Sequence, residues 1–421
     1  MTTATRESVT TQRLGVTLAF SAIVALWALG WLPSAISLLS AGRGYISGLE
    51  STATQVPLAT AIASALTLGT LVALVLALIF GLPSIREIRP GPYLLLLAMW
   101  LALHVLHGLG LNVSGLLFPL LVGVWMLLRP PVASLYRLLA WLGFITAAGS
   151  ILFAVGSPLA FMVDDWSANS DKAIIGDQIL AGPYSHSNAL GLTLALTLPI
   201  AAMWFKGRAR LLVFITMVAA LVWSASRLSI ASAVVTLLLS MIAIGAKEAV
   251  ARALLSAATV VAALVVVALP LLTTDPTALT HRGFIWMQSL AHAPGSLVLG
   301  YGADIYRTVN NFTTSMGYVS TTGHNTFVTL LLTGGLLVLA IALAAGVIAF
   351  RNARASFPVD RVRLLFLAVL LATSFAEDPL RALALGPLCF VLWPMTLVLL
   401  DTSQQPERTA RADMRAALAG A

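Results

Sequence analysis

Apolar runs of roughly 20 residues recur along the whole of this 421-residue chain, and that pattern removes most folds from consideration. About 20 apolar residues in a helix cross a hydrocarbon core of about 30 Å. Inside a bilayer, only helices and closed barrels satisfy their own backbone hydrogen bonds. Twelve runs can be marked, at about 14–39, 57–80, 92–109, 114–128, 135–156, 188–205, 211–225, 228–246, 253–272, 325–350, 362–376 and 383–400. They predict an all-α, polytopic membrane protein of about 12 transmembrane helices, forming one domain over residues 1–401 with a polar cytoplasmic tail over 402–421. The first run follows Arg6 and Arg13 but continues from Leu14 to Leu39 without a small-residue cleavage site, so it is expected to be retained. A charged fraction of only 10% argues against a soluble globular protein.

Charge placement orients the spans. With the N-terminus inside, 18 of the 24 Lys and Arg residues fall on the inner side. The outer segments hold only Arg43, Lys172, Arg227, Arg282, Arg307 and Arg381. Excess Lys and Arg on the cytoplasmic side is the expected bias, so both termini are predicted to be cytoplasmic in a bacterial inner membrane. This scatter through short loops also accounts for the pI near 10.1 without a nucleic-acid partner. Arg227, Arg282 and Arg381 lie beside spans on the unfavoured side, where an arginine usually has a specific anionic partner.

Two outer segments are long enough to do more than connect. Residues 157–187 contain Asp164, Asp165, Asp171 and Asp177 and run into Gly182-Pro-Tyr-Ser-His-Ser-Asn188. Residues 273–324 form an extracytoplasmic loop before the tenth span and end at His324. Arg227 closes the run Trp223-Ser-Ala-Ser-Arg227, with Ser226 beside it, and offers a donor fork suited to phosphate oxygens; the alternative is an arginine reaching lipid headgroups. Arg282 opens an amphipathic stretch to Leu290, of the kind that lies along a membrane surface as an interfacial helix. His324 is a candidate general base, or else a satisfied structural histidine. His186 has the same two readings, whereas His104 and His107 read as packing or hydrogen-bonded groups. Tyr301 and Asp304 around Gly300-Tyr-Gly302, and the pair Glu377-Asp378 next to Arg381, could orient a sugar or could tie loops together.

Other chemistries lack their residues. One cysteine, Cys389, excludes thiolate metal sites, and histidines and carboxylates never take metal-ligand spacing, so no metal is expected. A phosphate-binding loop and a dinucleotide fingerprint are both absent, so no nucleotide cofactor is expected. Fixed outer cations beside an imidazole suggest a phosphate-linked lipid substrate. A secondary transporter or lipid-linked oligosaccharide flippase is the rival reading, weakened by the lack of repeated halves. A non-catalytic assembly factor is the third.

At these residues the chain resembles the O-antigen ligase and polymerase family of polytopic membrane glycosyltransferases. The matching stretches are Gly182 to Asn188, Trp223 to Arg227, Arg282-Gly-Phe-Ile-Trp286, Gly300-Tyr-Gly302 and Gly323-His-Asn325, followed by a span containing Gly334 and Gly335. The resemblance implies transfer of a glycan from a polyprenyl diphosphate carrier to an acceptor hydroxyl on a glycan or lipid-glycan, on the extracytoplasmic side and without metal or nucleotide sugar. It further implies that Arg227 and Arg282 hold the diphosphate and that His324 acts as base. His186, Asn188, Ser226, Tyr301, Asp304, Asn325, Glu377 and Arg381 are the expected substrate-side residues. The span after His324 lacks an acid that many relatives carry, which leaves Glu377 or Asp304 to supply one.

Overall fold

The computed structural model describes residues 3–42, 56–83, 90–107, 113–162, 173–308 and 322–402. Within these residues each of the twelve apolar runs contains a helix, the last only from Cys389, and the single β interaction is an isolated bridge between Phe161 and Leu180. Helices α1 (Thr3–Ala41), α2 (Pro57–Gly81), α3 (Tyr93–Trp100, continued as a π turn over Leu101–Val105), α4 (Val113–Leu128) and α5 (Val132–Gly156) form the first part. Then come α6 (Ser187–Trp204), α7 (Gly207–Trp223), α8 (Arg227–Gly245) and α9 (Glu248–Leu272). The last part holds α10 (Ala278–His292), α11 (Thr326–Ser356), α12 (Arg361–Ser374) and α13 (Cys389–Leu400). Seven of these helices, α1, α2, α5, α6, α8, α9 and α11, are long and apolar enough to cross a membrane. The protein is an all-helical, multi-pass membrane protein.

Helix α6 is the centre of the bundle. It is 83% buried over its apolar window, against 17% for α2, so protein surrounds α6 and lipid is left to α2. A helix apolar on all sides requires such surroundings, and α5, α8 and α12 provide them. Small residues permit the close approach. Gly191 of α6 meets the side chains of Ser226 and Ser229, and Gly143 of α5 meets Thr197.

One end of the bundle is closed by charge. Arg363 reads from sequence as one of several inner-loop cations, but it is 1% exposed. Its Nε donates to Asp360 at 2.9 Å and its Nη1 to the Asp401 carbonyl at 2.8 Å, while Tyr136 donates to Asp360 at 2.8 Å. Asp360 also caps α12 by accepting from the Val362 amide. This cluster ties α5, α12 and the end of α13 together.

Helix α11 breaks at Gly335, whose φ of 61° and ψ of −161° no helix accommodates. Residues 297–302 lie along the break. Tyr301 and Gly302 donate to the freed carbonyls of Leu332 and Thr333, and the Leu336 and Leu337 amides bond back to Leu297 and Val298. Non-helical backbone at membrane depth survives only where protein satisfies it. A Cβ on Gly300 would lie 2.4 Å from the Gly334 amide nitrogen, so the Gly300-Tyr-Gly302 motif is a backbone-to-backbone splice.

Candidate functional site

Four chain reversals meet at the end of the bundle opposite the Arg363 cluster, and each presents one polar residue. His186 precedes α6; its Nδ1 accepts from the Asn188 amide at 3.0 Å, capping the helix and aiming Asn188. Ala225, at φ 50°, turns the chain into α8, which begins at Arg227. Leu279, Thr280 and His281 all have positive φ and swing Arg282 inward. His324, at φ 47°, follows buried Gly323 and precedes Asn325, which caps α11. Among the described residues eight non-glycine positions have positive φ, and all but Arg129 lie at these turns or in the segment carrying Arg381 and Leu383. Strain of this sort persists only where surrounding contacts impose it, and it concentrates at functional sites.

Glu377 joins the turns. It lies between α12 and α13, and its carboxylate accepts from Arg282 Nη2 through Oε1. Oε2 lies 3.1 Å from His324 Nδ1, and Asn188 Nδ2 reaches Oε1 at 3.5 Å. Burial alone would raise the Glu377 pKa, but His324 and then Arg282 outweigh it and hold the carboxyl down at about 2. Arg282 also donates from Nη1 to the Leu279 carbonyl at 3.2 Å, and its Nε is buried without a partner. Arg282 and His324 thus share one carboxylate in an ion-paired cluster, and a set of one imidazole and one carboxylate is poor for a metal.

Asp378 follows with opposite electrostatics. It accepts from Thr326 Oγ1 at 3.3 Å, while its Oδ2 is buried with no partner. Burial raises its pKa from 3.8 to about 6, and the backbone and charge of Arg381 offset only part of that. An acid whose folded pKa is raised binds its proton more tightly when folded, so stability falls as pH rises from about 4 to 6. Two pKa units correspond to about 3 kcal/mol. Asp378→Asn is therefore expected to raise the thermal midpoint at pH 7.5 and to match the native protein near pH 4. An equal or lower midpoint at pH 7.5 would contradict this account.

The remaining sequence candidates divide clearly. Asn325 is structural: its amide donates to the carbonyls of Val266 at 2.9 Å and Phe375 at 2.8 Å, and its oxygen caps α11. This ties α9, α11 and the Glu377 segment into one frame. His186 is a helix cap, and Ser226 bonds to Ser229 at 2.7 Å against Gly191. Tyr301 donates to the His292 carbonyl at 3.0 Å, and Asp304 sits in the turn before the short helix Ile305–Thr308. His107 bonds to the Leu299 carbonyl at 3.0 Å and His104 packs on Trp100. Arg227 is exposed, and its neighbour Ser226 touches Gly191, three residues past Asn188 on α6. That places Arg227 within about one helical turn of the Asn188 face.

One expectation needs correction. The Arg282–Leu290 stretch does not lie on the surface as a free interfacial helix, because Trp286 is fully buried against Val328 of α11 and Ala376. Its amphipathic pattern marks a helix packed on protein. Residues 309–321, Lys172 and Asp164, Asp165 and Asp171 lie outside the described residues. Asp378 was legible in the sequence as the acid paired with Glu377 beside Arg381; what the sequence did not show is its burial, with Oδ2 left without a partner.

No protein-family model matches the chain, and no curated protein matches it.

Proposed function

We propose that the protein is a membrane glycosyltransferase of the O-antigen ligase and polymerase type. It transfers a glycan from a polyprenyl diphosphate carrier to an acceptor hydroxyl on the extracytoplasmic face. The observation that carries this reading is the junction of Arg282, Glu377 and His324, supported by Asn188. An ionised carboxylate only accepts, so Glu377 places a hydrogen on His324 Nδ1 and leaves Nε2 as the basic nitrogen. The acceptor hydroxyl gives its proton to Nε2 as its oxygen attacks the anomeric carbon. The bond from that carbon to the carrier's phosphate oxygen breaks, and the charge gathers on the departing diphosphate. Arg282 and exposed Arg227 meet that charge. Direct displacement inverts the anomeric centre, with no covalent glycosyl-enzyme.

The test is purified protein in nanodiscs with a polyprenyl-diphosphate glycan and a glycan acceptor. Release of polyprenyl diphosphate with a glycosylated acceptor supports the proposal; translocation of intact donor would replace it with a flippase. A companion measurement fixes the sidedness, with twelve spans and inner termini as the expected arrangement. Cysteine placed at exposed Thr277 is expected to react with an impermeant thiol reagent in intact cells, and one at exposed Lys247 is not. The native Cys389 is buried and adds no background. Reversed labelling would put the Glu377 site on the cytoplasmic side.

A further inference from the structure

Beside the Glu377 site, and separate from it, lies an apolar crevice of about 280 Å³ between α1, α5 and the Pro183–Tyr184 turn. Trp27 and Trp31 form one wall, with ring centroids 5.4 Å apart, and Ile145, Gly149 and Phe153 form the other. On α1 the lining runs from Trp27 to Leu39, about 18 Å of helix axis at 1.5 Å per residue, so the crevice is long and narrow. Its hydroxyls are spent internally: Thr146 donates to the Leu142 carbonyl and accepts from Trp27, and Ser150 donates to the Thr146 carbonyl. The walls therefore offer rings and methyl groups, and suit a hydrocarbon. Leu39 is 67% exposed and Ile145 46%, so the mouth opens sideways onto the surface that faces lipid.

Both walls connect to the charged site. Gly30, between the two tryptophans, abuts the Pro387 backbone in the segment that carries Glu377 and Arg381, and Gly386 lies beside the Arg381 side chain. The opposite turn leads from Tyr184 to Asn188, four residues or at most about 14 Å of extended chain. A ligand with a charged head at Arg282 and an apolar chain could therefore occupy both at once.

We propose that this crevice binds the first isoprene units of the polyprenyl chain, next to the diphosphate. The inference rests on the proposed donor for the occupant's identity, while the crevice itself stands on its own geometry. Gly149 supplies the perturbation, because it lines the crevice and a Cβ there meets nothing within 4 Å, so a side chain can enter the crevice from that point. Gly69 on α2 is equally open and lies elsewhere, which makes it the control.

The experiment uses the full-length protein in nanodiscs with a polyprenyl diphosphate carrying a diazirine in its second isoprene unit. A parallel arm uses phosphatidylglycerol with a diazirine in an acyl chain, and glycan transfer is measured on the same preparations. The prenyl probe is expected to label Trp31, Ile145 or Phe153, to be competed by unlabelled polyprenyl diphosphate, and to lose labelling by roughly tenfold or more in Gly149→Phe but not in Gly69→Phe. Equal labelling by phosphatidylglycerol without competition would overturn the proposal, since the crevice would hold bulk lipid. Prenyl labelling elsewhere with transfer intact would overturn it and leave the enzymatic reading standing. Competed crevice labelling without any transfer would support the crevice and overturn the enzymatic reading.

Discussion

Replacing His324 by alanine is expected to lower glycan transfer by roughly 10²–10⁴-fold, the usual contribution of a positioned general base. Donor binding should change little, because the diphosphate is assigned to the arginines and not to the imidazole. The structure adds a second expectation. Glu377 faces Nδ1 at 3.1 Å, so Glu377→Gln should also reduce turnover by disturbing which nitrogen carries the hydrogen. A glutamine can present its NH₂ to Nδ1 and pull the hydrogen to Nε2, the wrong nitrogen for a base. Full activity in His324→Ala, or retention of anomeric configuration in the product, would sink the mechanism. Loss of donor binding in His324→Ala would move the histidine to the phosphate-holding group.

Arg282→Lys is expected to cost on the order of 10²-fold or more in turnover, since a contact that strengthens as charge develops on the leaving group is lost. The native guanidinium divides its fork: Nη2 goes to Glu377, Nη1 to the Leu279 carbonyl, and Nε is left over. A lysine ammonium is a point charge on a flexible stem and cannot hold the carboxylate, the turn and a phosphate oxygen in fixed directions. Arg227→Lys is expected to act in the same direction with less effect on stability, because Arg227 is exposed and makes no hydrogen bond or ion pair among the described residues. Steady-state kinetics on variants with native thermal midpoints separates these effects. Near-native turnover in Arg282→Lys would assign the arginine to headgroup contact alone.

The helices were legible because bilayer burial imposes long apolar runs, and each of the twelve runs contains a helix in the structure. Arg282, His324, Asn188 and Glu377 were each legible as chemistry-bearing residues in outer segments. Their convergence was not, since 53 residues separate His324 from Glu377 and 95 separate Arg282 from it. Local pattern carries no information about which distant turn a side chain meets. Hydropathy misled at Trp286, because an amphipathic stretch looks the same whether its apolar face rests on lipid or on α11. The glycines of Gly300-Tyr-Gly302 belong to the broken helix at Gly335, a relation that only the backbone path reveals.

The seat that Glu377 takes on Arg282 has a consequence for selection among anions. A bilayer holds phospholipid phosphates in vast excess over any polyprenyl carrier, and each could reach a bare arginine. Here a tethered carboxylate already neutralises much of the guanidinium's charge, so an incoming anion meets a weakened field, and every ligand's apparent affinity is discounted. A singly charged headgroup is expected to gain little there. On the proposed function, a diphosphate that reaches both Arg282 and Arg227 is expected to gain more, and its arrival to shift the balance of charge around His324. A resident counter-charge of this kind lets a cationic site sit in a sea of phosphate without being silted up.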